Sequence, residues 1–352
     1  AWVRRWWRGE AGVAGAAASV AALPLEALFR LGSGLRSAAY DRGVLSATGV
    51  VAPVLSVGNL TVGGTGKTPM VRWFVQALKE RGRRPGIATR GYGRDEILLH
   101  RRWHPDVPVA ADADRIAAAG AAVRASADVV VLDDGFQHRR LGRDLDVVLL
   151  DAETPFPGRR LPRGPYREGP SALGRADLVV VTRRSASKAE ARRVAEAVAA
   201  RYPALPVARV ALVPGDWQDL DGRVVASGDH DGDPPAVVTA VARPRSVRSL
   251  AARVLQRPEQ TLPLVAFPDH HDFGADDLEP IAARHRSWIV TEKDAVKLVE
   301  HADLLSDVRI RVLGLRLVWE HGLDGVDRAL EVLCAGGVDP APDSDAGAEA
   351  AP

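Results

Sequence analysis

Short apolar runs recur along the first two thirds of the chain, and polar residues or glycine follow each of them. They span residues 52–58 (APVLSVG), 85–89 (PGIAT), 127–134 (ADVVVLDD), 145–152 (LDVVLLDA) and 176–182 (ADLVVVT). Because these runs are apolar on both faces instead of alternating, they are typical of parallel strands that are covered by helices. The pattern predicts an α/β domain with a doubly wound parallel sheet from about residue 45 to residue 210.

Two segments of this domain carry apolar positions at helical spacing. In MVRWFVQALKERG (70–82) the apolar positions recur at i, i+3, i+4 and i+7 from Val71, which predicts an amphipathic helix. Residues 185–203 (SASKAEARRVAEAVAARYP) have the same period and predict a second helix. Strands that alternate with helices in this way belong to α/β folds.

The alternation of apolar strands and helices starts again after a turn-rich stretch at residues 214–235. Four further apolar runs follow, with helical segments between them: AVVTAVA (236–242), LPLVAFPD (262–269), SWIVTEKD (287–294) and RIRVLGLRLVW (309–319). They predict a second, smaller α/β domain over residues 211–330. Residues 335–352 are too poor in apolar side chains to form a core, and we expect a disordered tail there.

The N-terminal segment, residues 1–40, combines aromatic, basic and small apolar residues. It begins with Trp2, Trp6 and Trp7 interleaved with Arg4, Arg5 and Arg8. Residues 11–25 carry no charge, but they are fewer than the roughly 20 that a membrane-spanning helix needs. Tryptophan and arginine suit a membrane–water boundary, so we interpret the segment as a membrane-associated helix. A signal peptide and an alanine-rich helix that packs on the protein body are the alternatives.

Composition narrows the functional classes. The 352 residues, 46% of them hydrophobic, suffice for two domains. The 47 basic and 45 acidic residues nearly cancel, so we expect no binding to nucleic acid, and nothing implies an obligate protein partner. A single cysteine, Cys334, excludes a disulfide framework and a cysteine-based zinc site, and it suits a reducing cytoplasm.

The segment VGNLTVGGTGKTP (57–69) joins the first predicted strand to the first predicted helix. Its glycines lack Cβ atoms, so backbone amides can approach a ligand closely. The general phosphate-loop pattern G-x-x-x-x-G-K-[ST] has Thr61 here in place of its first glycine. A strand, a glycine-rich loop and a helix in this order predict a nucleotide phosphate site. Its residues are Gly63, Gly64, Thr65, Gly66, Lys67 and Thr68. The alternative is a glycine-rich turn with an incidental lysine.

Asp133 and Asp134 end the predicted strand 127–134 and precede a glycine. In phosphate-loop proteins a carboxylate at this position reaches Mg²⁺ beside the loop hydroxyl, which is Thr68 here. Acidic residues also end strands for structural reasons, since Asp-Gly is a common turn dipeptide. Together with the upstream loop, the pair indicates a magnesium site.

Three further segments place charged residues near predicted strand ends. RGYGRDEILLH (90–100) supplies Asp95 and Glu96 in a predicted loop, where adjacent acids are often only solvated charge. FPDHHDF (267–273) supplies His270. We interpret His270 as a histidine that assists a catalytic carboxylate. Zinc binding by residues 269–272 is an alternative. In TEKDAVKL (291–298), Lys293 stands at a strand-to-helix turn and could face an anion.

Six segments, taken in order, resemble the tetraacyldisaccharide 4′-kinase family of lipid A biosynthesis. They are VGNLTVGGTGKTP, RGYG, LDDGFQHRRL, LPRGPYRE, FPDHHDF and TEKDAVKL, and the resemblance extends from about residue 23 to residue 320. It implies Mg²⁺-dependent transfer of the γ-phosphoryl of ATP to the 4′-hydroxyl of a tetraacylated glucosamine disaccharide 1-phosphate, which forms lipid IVA. It also implies work at the cytoplasmic face of the bacterial inner membrane, with the N-terminal helix engaging the bilayer.

The resemblance further implies roles for residues on the nucleotide side of the site. Lys67 and Thr68 would hold the β- and γ-phosphates and Mg²⁺. Asp133 and Asp134 would lie around the metal, and Glu96 resembles a second metal-side carboxylate.

On the acceptor side, the resemblance implies that Asp95 takes the proton of the sugar hydroxyl. His270 would assist it from across the domain cleft when the domains close. Asn59, Arg167 and Glu168 resemble residues that line the phosphate and acceptor region.

Two segments depart from the family pattern. The family has a longer insert between RGYG and the acidic pair, whereas only Arg94 intervenes here. The family segment GIANP reads AVARP at residues 240–244, which changes contacts at the domain hinge. An alternative function from another class is a membrane-associated phosphate-loop switch or partitioning-type ATPase, and a third is a nucleotide-binding subunit without turnover.

Overall fold

A computed structural model describes residues 2–7, 9–91, 93–226 and 234–336. Several sequence predictions fall partly outside these ranges: Arg8 of the N-terminal cluster, residues 227–233 of the turn-rich stretch, and residues 337–352 of the tail. The helices, in chain order, are α1 (Trp2–Trp7), α2 (Gly12–Ala21), α3 (Leu23–Asp41), α4 (Lys67–Glu80), α5 (Arg94–Trp103), α6 (Arg115–Arg124), α7 (Lys188–Arg201), α8 (Pro244–Val254), α9 (Ala275–Arg284), α10 (Glu292–Leu298) and α11 (Leu323–Ala335).

The strands of the described residues form a single 11-stranded sheet in the order β3-β2-β4-β1-β5-β6-β7-β11-β10-β8-β9. They are β1 (Val54–Asn59), β2 (Pro85–Thr89), β3 (Val109–Ala111), β4 (Val129–Asp133), β5 (Leu145–Asp151), β6 (Leu178–Arg183), β7 (Val207–Gln218), β8 (Ala236–Thr239), β9 (Leu264–Ala266), β10 (Ser287–Thr291) and β11 (Arg309–His321). Every neighbouring pair is parallel except β7 and β11, which are antiparallel. The predicted mostly parallel α/β fold is therefore confirmed.

Helices cover both faces of the sheet, which explains why the strands are apolar throughout. Val147 and Leu149 of β5 pack in one cluster with Phe74 of α4, whereas Val148 and Leu150 pack on the opposite face with residues of α7. The predicted apolar stripe of α4 is fully buried. Alternate residues of one strand thus serve two separate cores.

The two predicted domains share the sheet through the long antiparallel pair β7–β11. The predicted boundary between residues 210 and 211 falls inside β7. The division into two domains stays a prediction, and we refer below to the N-terminal and C-terminal halves of the sheet.

The interval between residues 90 and 125 differs from the sequence prediction. Asp95 and Glu96 lie in the first turn of α5 and not in a loop, and β3 and α6 were not predicted. Two acidic residues in a first turn favour a helix start by compensating the positive end of the helix dipole. Three of the apolar residues of α5, Ile97, Leu98 and Leu99, are consecutive, and the helix packs against α10, which a local pattern does not reveal.

The N-terminal helices contact the sheet domain at a few polar points. Glu26 of α3 is buried and pairs with Arg163 at 2.8 Å, and Trp7 Nε1 donates to the carbonyl oxygen of Pro162 at 2.8 Å. An apolar face remains exposed, formed by Val13, Val20, Leu25, Leu28, Leu31 and Leu35. No single helix of the described residues has the length and hydropathy to cross a membrane; α2 and α3 together, bent by 50°, reach that requirement by length and composition alone.

Candidate active site

The phosphate loop lies between β1 and α4, as predicted. Gly66 precedes α4 in a left-handed conformation with φ of 93°, which an L side chain rarely adopts. A Cβ at Gly58 would lie 2.4 Å from the Cβ of Phe136, so the close approach of β1 to the segment after β4 requires glycine. Glycine is therefore needed at Gly58 and Gly66 for the backbone to follow this path.

Buried side chains hold the loop in place. Asn59 Nδ2 donates to Thr65 Oγ1 at 2.8 Å, and Thr182 Oγ1 donates to the carbonyl oxygen of Thr65 at 2.8 Å. Asn59 also accepts a short hydrogen bond from Arg167 Nη2. Since Asn59 is fully buried, it contacts the loop and Arg167 and does not reach the cleft. The structure thus places this predicted acceptor residue behind the site.

Asp134 is held between two cations. Arg167 donates to both of its carboxylate oxygens, at 2.8 and 3.2 Å, and Lys67 Nζ lies 3.6 Å from Oδ1. Burial acts to raise the pKa of Asp134, but Lys67 and Arg167 outweigh it and lower the pKa to about 2. Asp134 also has a positive φ of 57°, which is uncommon for a residue with a side chain. The carboxylate of Asp134 is therefore ionised, and Lys67 and Arg167 fix its orientation.

Asp133 ends β4 and is buried next to the phosphate loop, because β4 pairs in parallel with β1 and Val57 is in register with Asp133. Its Oδ2 lies 3.2 Å from Nε2 of His100, a fully buried residue of α5. Thr68 is buried in the first turn of α4. The predicted loop hydroxyl and strand-end carboxylate thus lie on neighbouring elements at the carboxyl edge of the sheet.

Asp95 and His270 form a pair between the two halves of the chain. Asp95 Oδ1 lies 2.8 Å from His270 Nδ1, and Asp95 is only 2% exposed. Burial acts to raise the pKa of Asp95, but the hydrogen bond from His270 and the charge of Lys293 lower it below the usual value. The same hydrogen bond raises the pKa of His270. An ionised carboxylate only accepts, so Nδ1 of His270 carries the hydrogen.

One carboxylate oxygen of this pair has no hydrogen-bond partner among the described residues. Asp95 Oδ2 is buried without a hydrogen bond among the described residues. A buried carboxylate oxygen without a donor is costly, which indicates that a ligand supplies the donor. His270 lines the cleft and has a positive φ of 61°. Strained backbone of this kind concentrates at functional sites.

α5, which carries Asp95, is attached to the C-terminal half by its polar side chains. Glu96 pairs with Lys293 at 2.6 Å, and Trp103 Nε1 donates to Glu292 at 3.0 Å. Arg102 donates to the carbonyl oxygen of Leu220 at 2.6 Å. The contact between Asp95 and His270 is therefore one of several polar contacts that join α5 to the C-terminal half.

These residues surround a cleft of ≈ 780 Å³ at the carboxyl edge of the sheet. The predicted site residues on its wall are Gly63, Gly64, Thr65, Gly66, Lys67, Thr68, Glu96, Asp133, Asp134, Arg167 and His270. Asn59, Asp95 and Glu168 are not on the wall; Glu168 pairs with Arg175 at 2.9 Å. Among the described residues no three Asp, Glu, His or Cys side chains form a ligand cluster.

Five arginines of the wall were not predicted: Arg90, Arg115, Arg184, Arg243 and Arg253. Arg90 follows β2 and Arg184 follows β6, and residues after parallel strands collect at one edge of a sheet. The place of Arg90 and Arg184 at this edge could therefore have been predicted from the sequence. Arg243 lies in the departing segment AVARP and pairs with Asp151 at 3.0 Å, so this segment connects the two halves.

A known protein family matches most of the chain. The family model described as tetraacyldisaccharide-1-P 4′-kinase (LpxK) matches residues 18–97 and 95–331. The chain belongs to the tetraacyldisaccharide-1-P 4′-kinase family. The two matched segments meet at residues 95–97, directly after the insert that is shorter here.

Relatives of this kinase family cover nearly the whole chain. A tetraacyldisaccharide 4′-kinase of Anaeromyxobacter sp. (strain K) is 40% identical over 96% of this chain and 96% of its own length. The kinase of Syntrophus aciditrophicus is 36% identical over 77% of this chain. The fold is similar to that of LpxK from Aquifex aeolicus, whose crystal structure is in complex with ATP, with a TM-score of 0.68 and 24% identity over 90% of this chain.

Proposed function

We propose that this chain transfers the γ-phosphoryl of ATP to the 4′-hydroxyl of a tetraacylated disaccharide 1-phosphate, as its family does. The observation that carries this proposal is the arrangement of the cleft. A phosphate loop with Lys67 forms one wall, and His270, which is hydrogen-bonded to the buried Asp95 behind it, lies at another. Phosphoryl transfer needs charge stabilisation on the donor and proton removal from the acceptor, and the two walls are suited to these two tasks.

Lys67 and the loop amides are the proposed contacts for the β- and γ-phosphates. Lys67 is largely buried, and its ion pair with Asp134 fixes the direction of its side chain. It lies at the start of α4, where the helix dipole also favours an anion. Arg167 holds Asp134 from the other side. This positions the lysine before the nucleotide binds, so little reorganisation is needed.

Magnesium is the proposed metal, and the side chains present fit it. Mg²⁺ bound to a nucleotide takes only one or two protein carboxylates, with phosphate and water oxygens completing its shell. Thr68 and Asp133 would hold it, with Asp134 and Glu96 nearby. When bound, the ion neutralises charge on the transferring phosphoryl group. Thr68 and Asp133 would hold the ion in place beside the phosphate oxygens.

Asp95 is the proposed base, with His270 as its partner. The oxygen Oδ2, which has no donor among the described residues, is the atom that would accept the proton of the 4′-hydroxyl. His270 holds Oδ1 and lies on the cleft wall, where it orients the carboxylate and lines the path of the acceptor. A positioned base of this type accelerates transfer by about 10²–10⁴-fold.

The N-terminal helices are the proposed membrane contact. Their exposed apolar face, with aromatic and basic residues at its start, suits a helix pair in the interface of the cytoplasmic leaflet. The acceptor is a lipid, so an enzyme at the membrane surface meets it there. This supports the inner membrane as the working place of the enzyme.

The switch or partitioning ATPase is not favoured, because the family assignment covers both halves of the chain. The test is incubation of the full chain with labelled ATP and Mg²⁺, with the tetraacylated disaccharide 1-phosphate or with buffer alone. We expect a lipid product phosphorylated at the 4′ position and little ADP without acceptor. Equal ADP release in both samples, with no phosphorylated lipid, would exclude the kinase.

A further inference from the structure

His100 of α5 is a buried histidine that the proposed transfer of the phosphoryl group does not use. It is fully buried and does not line the cleft, whereas its neighbour Leu99 does. The helix buries three of its residues, Asp95, Leu99 and His100. Asp95 contacts His270, and His100 contacts Asp133. The helix that carries the proposed base thus also reaches the carboxylate at the end of β4.

The polar contact that orients the His100 ring is its hydrogen bond with Asp133. Nε2 of His100 lies 3.2 Å from Oδ2 of Asp133. The other ring nitrogen, Nδ1, is buried and has no hydrogen-bond partner among the described residues. An ionised carboxylate only accepts hydrogen bonds, so Nε2 of His100 is the donor to that form of Asp133.

Packing alone does not account for a histidine at this place. A leucine or a phenylalanine could fill a fully buried position beside the ring of Trp103 and would leave no polar atom unpaired. Nδ1 of His100, in contrast, is a buried polar atom without a partner in the described part of the chain, which is costly. Such a cost calls for an explanation, and the hydrogen bond of Nε2 to Asp133 provides one.

The carboxylate of Asp133 depends on His100 for its orientation. The next residue, Asp134, is fixed by Lys67 and Arg167. No lysine or arginine of the described ranges forms an ion pair with Asp133, and His100 is the partner in the one hydrogen bond of its carboxylate there. The pairing of β4 with β1 fixes the backbone of Asp133. The strand therefore determines where this carboxylate lies, and His100 determines which way it turns.

The two oxygens of Asp133 have different surroundings. Asp133 lines the cleft and His100 does not, so Oδ2 is bound on the protein side of the wall. Oδ1 is then the oxygen that remains for a ligand in the cleft. Carboxylates that bind a metal ion are commonly held by hydrogen bonds to neighbouring side chains. Loss of such a partner lowers metal affinity or activity by about 10- to 100-fold.

We propose that His100 is a positioning residue, which holds the carboxylate of Asp133 in the orientation that binds the magnesium ion of the nucleotide. The proposal rests on the proposed function, in which Asp133 and Thr68 hold this ion. His100 touches neither the cleft nor the proposed base, so its loss should weaken binding of the metal and not binding of the lipid acceptor.

The test compares two substitutions in the full-length protein. His100→Leu removes the donor at similar volume, whereas the side-chain amide of His100→Gln can still donate to Asp133. The readout is binding of Mn²⁺, which takes the same oxygen ligands as Mg²⁺, to the protein with ADP, followed by the EPR signal of free Mn²⁺. We expect the dissociation constant of Mn²⁺ to rise by about 10- to 100-fold in His100→Leu and by much less in His100→Gln.

Steady-state kinetics give a second readout. The Mg²⁺ concentration for half-maximal rate should rise in His100→Leu, while the KM for the lipid acceptor stays unchanged. His104→Leu is the matched control, because His104 follows α5 and is also buried, but it does not line the cleft and does not contact Asp133. This variant should bind Mn²⁺ as the wild type does.

Each other outcome has a distinct meaning. Equal Mn²⁺ affinity in His100→Leu and His104→Leu would overturn the proposal. An equal loss in His100→Gln and His100→Leu would also overturn it, because the donor would then not be the cause. A raised acceptor KM with unchanged Mn²⁺ affinity would overturn it too and leave the kinase assignment intact.

Failure of the proposed function has a separate signature. A wild-type chain that binds Mn²⁺ with ADP but phosphorylates no lipid would refute the kinase assignment, and the Mn²⁺ affinities of the variants would still decide the role of His100. If the wild type binds no Mn²⁺ with ADP, the metal site at Asp133 and the role of His100 both fail. His100→Phe, which also lacks a donor, carries the test if His100→Leu does not fold, as judged by its melting temperature.

Discussion

Asp95 Oδ1 and His270 Nδ1 lie 2.8 Å apart, although 175 residues separate them in the chain. α5, which carries Asp95, is bound to α10 and to the segment after β7. Its His100 also contacts Asp133 in the N-terminal half. The pair is therefore part of a network that joins the two halves of the sheet.

The first prediction concerns this pair. Asp95→Ala and His270→Ala should each lower kcat by about 10²–10⁴-fold, the range for acid–base groups. The double variant should lose much less than the product, because residues that act as one unit are not additive. Steady-state kinetics check this, and the KM for ATP should barely change. Near-normal kcat in Asp95→Ala would end its assignment as the base.

The second prediction concerns the pKa of His270. The hydrogen bond from His270 to Asp95 raises the pKa of His270, so Asp95→Asn should lower it, measured by NMR titration of the imidazole. The stabilisation from protonated His270 is fully present below about pH 6.5 and is lost as the pH rises through the raised folded value. The stabilisation from ionised Asp95 is lost as the pH falls through its lowered folded value.

The stability difference between wild type and Asp95→Asn should accordingly be largest near pH 5–6 and smaller at pH 9, because both charges of the pair are present in that window. Asp272→Asn is the control, since Asp272 belongs to the same segment as His270 but is not part of the pair. An unchanged His270 titration in Asp95→Asn would show that the contact does not exist in solution.

The third prediction concerns Lys67. Lys67→Ala removes the charge opposite the β- and γ-phosphates, and kcat/KM should fall by about 10²-fold or more, since electrostatic stabilisation is a main source of catalysis. Lys79→Ala, on the same helix but in an exposed pair with Asp106, should change activity little. Turnover of Lys67→Ala within a few-fold of Lys79→Ala would argue against the loop as the phosphate site.

The fourth prediction concerns membrane binding. Leu28 and Leu31 of α3 are 67% and 59% exposed, so replacing both with Ser should weaken binding to anionic vesicles by about 2 kcal/mol while the melting temperature stays nearly constant. Val332→Ser is the control, because Val332 is 74% exposed on α11, away from these helices. Sedimentation with vesicles measures the difference. Equal binding of all three proteins would remove α3 from the membrane contact.

The amino-acid sequence alone predicted the elements whose cause is local. The runs around Val57 and Asp133 predicted buried parallel strands, and the glycines before Lys67 predicted the phosphate loop, because strand burial and positive φ depend on the residues themselves. The apolar stripe of α4 was predicted from the helical spacing of its apolar residues. These elements are confirmed in the structure.

The tertiary structure alone decided which of these side chains meet. It buried Asn59 beneath the loop, paired Glu168 with Arg175, and brought Arg90 to the cleft. It also placed the segment of Asp95 in a helix that packs against α10, which lies almost 200 residues further along the chain. Contacts of this kind depend on the order of strands in the sheet, which joins residues far apart in the chain, and no short stretch of sequence contains that order.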